Sequence, residues 1–370
     1  MKRYFVQFTL FAQKILTILI FTTALCFPVL TQENERLFVF EDDGFWGFTD
    51  VVGKVVVKPK FDLVEEFSEG LARAYICTDD IRPGWGFINR TGSVVINPTF
   101  VNAADFSEGL AAVMDEQRKW GFIDQTGTYS ISPQFSFFEA DEKRFSEGLA
   151  AVKVNDKYGY IDKTGKFVIE PKFDDAEPFS EGLAEIKVGE KWGFINKNGG
   201  FVIKPQFGLT VGFAEGLARV NIGYVFGWND EDPNYRKGKW GFVDRRGSVV
   251  IPARYDFATS FFDGMAVVRV GEKHGFIDRS GKLVIKMIFE DASPFFGGLA
   301  AVEIDDKWGY IDKAGRFVIP PQFEDAAAFK DGVASVAFDR FTEGRIDKSG
   351  KVLWKRVETR RVFSSKPCPR

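Results

Sequence analysis

A chain of 370 residues with a net charge of −3, one histidine and three cysteines excludes several classes at once. It has no basic stripe to hold nucleic acid, and its cysteines are too few for a disulfide scaffold or the usual zinc sites. Forty-one Phe and 37 Gly against 15 Pro describe an aromatic-rich, turn-rich, all-β chain rather than a disordered one.

At the N-terminus, Lys2, Arg3 and Lys14 precede an apolar run from Ile15 to Phe27 that Pro28 closes. A positive segment followed by an apolar run of this length is the pattern of a secretory leader, so residues 1–31 are expected to be a signal peptide. Ala24 and Cys26 offer a small-x-small cleavage pattern, and Leu25 is too bulky for a lipoprotein site at Cys26. The alternative is an uncleaved anchor, which would be the chain's one link to a membrane, since only Gln7, Gln13 and Lys14 interrupt the apolar stretch. Loss of Lys2, Arg3 and Lys14 takes the net charge from −3 to −6. Cys77 and Cys368 would then remain, near opposite ends of the chain. A bridge needs Cα atoms within about 7 Å, so both are expected to be unpaired.

Residues 32–354 hold one unit copied many times. Trp-Gly pairs stand at Trp46, Trp85, Trp120, Trp192, Trp240 and Trp308, with Tyr158 and His274 in the same slot of two further copies. Seven residues after each slot lies a glycine, such as Gly53 or Gly199; fifteen after it lies an aromatic, such as Phe61 or Phe207. A fixed offset kept this often means one supersecondary unit in a stacked array.

In the clean copy, Leu183 to Val188 reads as a strand and Gly189-Glu190-Lys191 as its turn. Trp192 to Asn196 is the second strand, and Asn196-Lys197-Asn198-Gly199 is a type I turn with its Asx and Gly in place. Phe201 to Ile203 is the third strand, which Pro205 is expected to end because proline lacks the N–H of a ladder. The linker that follows carries a Phe three residues before a Gly, as in Phe213 and Gly216. It is expected to be a folded loop or short helical turn whose aromatics plug the gap between sheets. The acid before that Gly, at Glu69, Glu108, Glu147, Glu181 and Glu215, reads as a solvated loop charge.

Counting strands gives about nine units, from Leu37 to Leu353. The ninth has Glu343-Gly344 for Trp-Gly, which fits a terminal cap. The fold expected is therefore all-β, a tandem array of about nine three-stranded antiparallel meanders. An open, solenoid-like stack is favoured because propellers usually have four to eight blades and no split blade ties the ends together. The β-propeller is the alternative. Residues 355–370, with Lys355, Arg356, Arg360, Arg361, Lys366 and Arg370, read as a basic, disordered tail.

The phrases Lys191-Trp192-Gly193-Phe194-Ile195, Lys307-Trp308-Gly309-Tyr310-Ile311 and Phe179-Ser180-Glu181-Gly182-Leu183-Ala184 resemble the WG (KWG) repeat family. The resemblance spans about Leu37 to Leu353. It implies a bacterial, secreted or envelope-associated β-repeat protein, and it brings no catalytic residues to place here.

Little chemistry stands apart from the repeat. His274 occupies a Trp slot and has no nucleophile beside it, so it reads as repeat drift. The recurrent Asp or Asn at Asp50, Asn89, Asp124, Asp162, Asn196, Asp244, Asp278 and Asp312 is explained by the turn it opens rather than by a cation. No catalytic, cofactor or metal residue is expected, and no enzyme activity. The best candidate for a site is an insertion in the sixth unit, where Gly216 precedes Trp240 by 24 residues. Tyr224, Phe226, Trp228, Asp230, Asp232 and Tyr235 combine flat apolar faces with polar reach, as binding loops do. The expected function is an exported, non-enzymatic repeat protein, in the periplasm, at the cell surface or secreted. It would offer an extended surface to a protein or an envelope glycan, and a structural spacer in an envelope assembly is the alternative.

Overall fold

A computed structural model describes residues 36–78, 81–136, 144–225 and 236–357. The leader, with its lysines and the run from Ile15 to Phe27, lies outside the described residues, as does the chain beyond Val357. The described residues form no helix; they form nine small antiparallel sheets, one per repeat.

Blade 5 shows the unit. Leu183–Val188, Lys191–Asn196 and Phe201–Phe207 form a meander in which Ile186 pairs with Gly193 and Trp192 with Phe207. Pro205 does not end the third strand. Between the pairs Trp192–Phe207 and Phe194–Ile203 the register shifts, so Gly193 alone faces three residues. A Cβ on Gly193 would lie 2.5 Å from the Ile203 carbonyl and 2.6 Å from the Pro205 nitrogen. Trp-Gly and the downstream Pro are thus one device: the bare Gly admits a bulge, and the Pro sits where no ladder N–H is needed.

The linker is extended rather than helical. Its two-residue stretches Leu63–Val64, Asn102–Ala103, Asp175–Ala176, Phe257–Ala258 and Asp325–Ala326, and the longer Leu209–Ala214, add a fourth strand beside the first strand of the following meander. Two residues are too short to show a period of two, which is why the sequence reads as three-stranded units.

Neighbouring blades lock through a few recurring contacts. The aromatic two residues after each Trp slot packs tilted or edge-on against the linker Phe, with centroids 4.6–5.0 Å apart from Phe48–Phe67 to Tyr310–Phe329. Most of these rings are fully buried, and each such burial is worth roughly 1.5–3 kcal/mol. In the Phe-Ser-Glu-Gly turn, Ser107 Oγ donates to the Phe145 carbonyl at 2.8 Å. Glu108 Oε2 accepts the Gly148 N–H at 3.0 Å. The same Glu bond recurs at Glu69, Glu147, Glu181 and Glu215, so this residue is an inter-blade clasp and not merely a solvated charge.

The array closes into a ring, a nine-bladed β-propeller, instead of remaining an open stack. Each turn glycine faces the aliphatic side chain four residues past the equivalent glycine of the blade before: Gly127 on Ile96, Gly165 on Ile131, Gly350 on Ile319. Gly53 of blade 1 meets Trp354, the equivalent side chain of blade 9. The same quasi-equivalent contact therefore joins last to first, with no strand exchanged. Lys330 adds an ion pair to Glu66 at 2.6 Å, and Arg356 donates to the Glu41 carbonyl at 2.8 Å. Blade 9 is consequently a seam blade rather than a cap. Its last strand, Val352–Val357, takes in Lys355 and Arg356, so these two residues belong to the ring and not to a tail.

Candidate functional site

Antiparallel order gives the ring two unlike faces. The lower face carries the Asx-x-x-Gly turns and the Phe-Ser-Glu-Gly turns; the upper face carries the hairpin turns between first and second strands.

On the lower face each recurring Asx is spent on its own turn. Asp162 Oδ1 accepts the Thr164 and Lys166 N–H groups at 2.9 and 3.1 Å and the Thr164 hydroxyl at 2.6 Å. The Thr164 hydroxyl and these amides hold its carboxyl below the usual range. No group of three or more His, Cys, Asp or Glu among the described residues is placed to hold a metal. His274 is equally occupied: Nδ1 lies 2.8 Å from the Glu290 carbonyl, and the ring packs edge-on to Phe257.

The upper face is different. It gathers acidic side chains at the hairpin turns: Glu41, Asp42 and Asp43 in blade 1, and Glu303, Asp305 and Asp306 in blade 8. Some carboxylates here are neutralised by the lysine that precedes the Trp slot, as in Lys157–Asp174, Lys239–Asp256 and Lys273–Glu290. Lys157 and Lys239 pull Asp174 and Asp256 below the ordinary carboxylate range. Glu303 goes the other way: partial burial, then repulsion from Asp291, Glu290, Asp306 and Asp325, raises it.

Two hairpins rise from this face. In most blades the first strand has five or six residues, but in blade 6 the strands Leu217–Val225 and Arg236–Asp244 have nine each. Tyr224 pairs with Lys237 and Val225 with Arg236, so the stem projects beyond its neighbours. The structure thus puts Tyr224 on the stem of the predicted loop. Phe226, Trp228, Asp230, Asp232 and Tyr235 lie outside the described residues. Blade 2 has a second long hairpin, Leu71–Thr78 and Ile81–Asn89, which sequence reasoning missed. Its signal was the 15-residue interval from Gly70 to Trp85, at the upper end of the ordinary spacing.

Two buried ion sites lie between blades. Arg73 donates to the Ala103 carbonyl at 2.7 Å and pairs with Asp105 at 3.0 Å, beside a cleft of about 340 Å³ lined also by Ser68, Ser107 and Arg144. Glu185, 7% exposed, accepts the Thr210 hydroxyl at 2.7 Å. Burial pushes its carboxyl to about 7, against the opposing pull of Thr210 and Arg219. These buried polar side chains fasten one blade to the next.

The profile described as "WG containing repeat" matches residues 46–76, 85–117, 120–158, 158–192, 192–225, 240–273, 275–308 and 308–339. No curated protein matches the chain. Among solved structures, BamB from Moraxella catarrhalis is similar at 10% identity and TM-score 0.42, over 78% of this chain and 92% of that one. Kluyveromyces lactis Hsv2p is similar at 11% identity and TM-score 0.39, over 71% and 99%. The dihydro-heme d1 dehydrogenase NirN is similar at 13% identity and TM-score 0.45, over 80% and 74%. Likenesses this loose carry no argument about activity or partner.

Proposed function

We propose, for a chain that belongs to the WG repeat family, that it is an exported, non-enzymatic β-propeller whose upper face binds a protein or an envelope glycan. One observation carries this reading: blade 6 extends its hairpin beyond the ring on the face that carries the acidic hairpin turns. The stem leads directly into the aromatic and acidic residues from Phe226 to Tyr235. Rigid scaffolds present binding residues in this way, on loops held by a fixed frame. Export is supported by the leader-like pattern of residues 1–31 and by the disulfide at Cys77, which corrects the expectation that it is unpaired, since disulfides persist in oxidising compartments.

The test is co-sedimentation of the mature chain with isolated cell wall and with envelope membranes, for the wild type and for a variant with Phe226–Tyr235 replaced by Asn-Gly. Loss of binding in the variant, with an unchanged melting midpoint, supports the reading. Equal binding by both would shift the function to a spacer whose hairpin has no ligand.

A further inference from the structure

The third strand of each blade starts at the lower face and forms one edge of its sheet. In Val94–Phe100, Phe201–Phe207 and Phe317–Phe323 it opens on Val94-Val95, Phe201-Val202 and Phe317-Val318, which are 38–49% exposed. The side chain after each pair, Ile96, Ile203 or Ile319, is the buried one, set against the turn glycine of the next blade. All nine third strands begin in this way, with an exposed Val, Leu, Phe or Tyr in the first two positions. Edge strands are ordinarily blunted with charge at such points, and polar residues here would cost the ring little buried surface.

Cations bracket these pairs. In eight of the nine blades the Asx-x-x-Gly turn leading into the strand carries Lys or Arg directly after its Asx or its Gly. Lys54, Lys166, Lys282 and Lys351 follow the glycine and stand exposed beside the apolar residues. The nine third strands themselves hold eight Lys or Arg and one acid, Glu170. The acids nearby are already engaged. The Asp that opens a turn accepts that turn's own amides, as Asp162 does, and the Glu clasps take up the first cation, as in Lys163–Glu108 at 3.2 Å and Lys197–Glu147 at 3.0 Å.

The lower rim is thus apolar and basic all the way round the ring, which defines its partner. An added peptide strand would need one blade only, and seven of the nine third strands carry a proline, a feature that blunts an edge against strand addition. A copy in every blade at one height suits a flat and continuous partner. That partner must offer negative charge to the cations and an apolar layer to Val and Phe. Lys and Arg reach headgroups on long stems, while small apolar side chains of surface-bound proteins enter the boundary beneath.

We infer that the lower rim of the ring is a docking surface for an anionic lipid bilayer, with the exposed apolar pairs at the headgroup boundary and the flanking cations on the lipid phosphates. Docked this way, the ring turns its upper face and the long hairpins of blades 2 and 6 away from the lipid.

The chain as isolated from the cell is sedimented with vesicles of phosphatidylcholine alone and of phosphatidylcholine mixed equally with phosphatidylglycerol. Such vesicles hold neither protein nor glycan, so the outcome is separate from that of any ligand on the upper face. Binding is expected to the anionic vesicles only. Reversal of charge at Lys54, Lys166, Lys282 and Lys351 to Glu should weaken it at least about tenfold. Phe201→Ser with Phe317→Ser should weaken it at least about threefold, because such binding scales with buried apolar area. Placement is tested by quenching with brominated lipid. Phe201→Trp keeps an aromatic on the rim and should gain quenching over the wild type, even where the multiple charge reversal does not fold. Val188→Trp, at the exposed upper end of Leu183–Val188, should gain none. Equal binding to both kinds of vesicle, folded rim variants that bind as the wild type does, or quenching at position 188 and not at 201 would overturn the proposal.

Discussion

Arg345 of blade 9 donates through Nη2 to the Thr49 hydroxyl of blade 1 at 3.0 Å, across the seam of the ring. Both residues break the repeat. Arg345 stands where the other blades have Phe or Tyr, and Thr49 stands where they have Ile or Val. The seam has no described linker Phe to fill its gap. The guanidinium takes that place, lying over Phe38 and Trp354 at 4.0 and 4.5 Å and donating to the Asp50 carbonyl at 2.6 Å. Two departures that read separately as drift answer one another.

Arg345 is 4% exposed, so its removal leaves a void and two acceptors without their donor. Arg345→Ala is expected to destabilise the ring by about 2–4 kcal/mol, measured by urea unfolding. Arg316, which is mostly exposed, serves as the control, and its alanine variant should stay within about 0.5 kcal/mol. Similar losses for the two would mean that the seam contributes nothing particular.

Closure also changes what a deletion should do. In an open stack, removing Gly182 to Glu215 leaves every junction intact. In the ring, eight blades must close a circle shaped for nine, and Gly53 can no longer meet Trp354 as it does now. The deletion variant is expected to lose its single cooperative melt in calorimetry. A sharp transition near the wild-type midpoint would return the argument to an open array.

Much of this was legible in the residues, and the failures have identifiable causes. The aromatic pair Phe194–Phe213, 5.0 Å apart, follows from fixed spacing alone, because both rings recur at constant offsets. Closure did not follow, since it depends on the small wedge angle between blades, which no single offset encodes. Pro205 was read by the general rule for ladders, and the bulge opposite Gly193 overrode it. Burial within the Trp slot could not be read from spacing: Trp120 is fully buried, but Trp192 is only half-buried, with Lys187 over its ring. Of the candidate site only the stem around Tyr224 is described, because the loop's aromatics occupy no repeat slot that would place them.

Gly193 permits a direct test of the bulge. Gly193→Ala places a methyl against the backbone of Ile203 and Pro205, and backbone cannot yield as a flexible side chain does. A loss of about 1–3 kcal/mol or more is expected from overpacking. Gly189→Ala adds its methyl to open space at a positive φ of 61°, so it should cost only about 1–2 kcal/mol of backbone strain. Unfolding curves that rank the two in reverse order would refute the packing account.

Glu185 makes stability depend on pH with a definite sign. Its folded carboxyl titrates at about 7 against an ordinary 4.5, so between those values the folded state holds the proton and the unfolded state does not. Stability should therefore be fully present below about pH 4.5 and fall as pH rises through about 7, by up to about 3 kcal/mol. Glu185→Gln keeps a hydrogen-bonding partner for Thr210 and removes the titration. Urea midpoints at pH 5 and pH 8 should converge in that variant relative to the wild type. An equal pH dependence in both proteins would assign the effect to other groups.

Trp228 separates binding from folding. It stands in no repeat slot, so nothing in the repeat pattern calls for it in the packing of the unit. Trp228→Ala is expected to change stability by less than about 1 kcal/mol, as surface substitutions do. If the upper face binds through this hairpin, the same change should weaken co-sedimentation with the cell wall or membrane fraction at least about fivefold. Aromatic anchors commonly carry that much interface energy. Each quantity is measured on the same purified chain, one by denaturant melt and one by sedimentation. A large stability loss would place Trp228 in the packing of blade 6, and the aromatic tip would then have a structural reason to exist. Unchanged stability with unchanged binding would remove the hairpin from the proposed site and leave the acidic turns of the upper face to carry it.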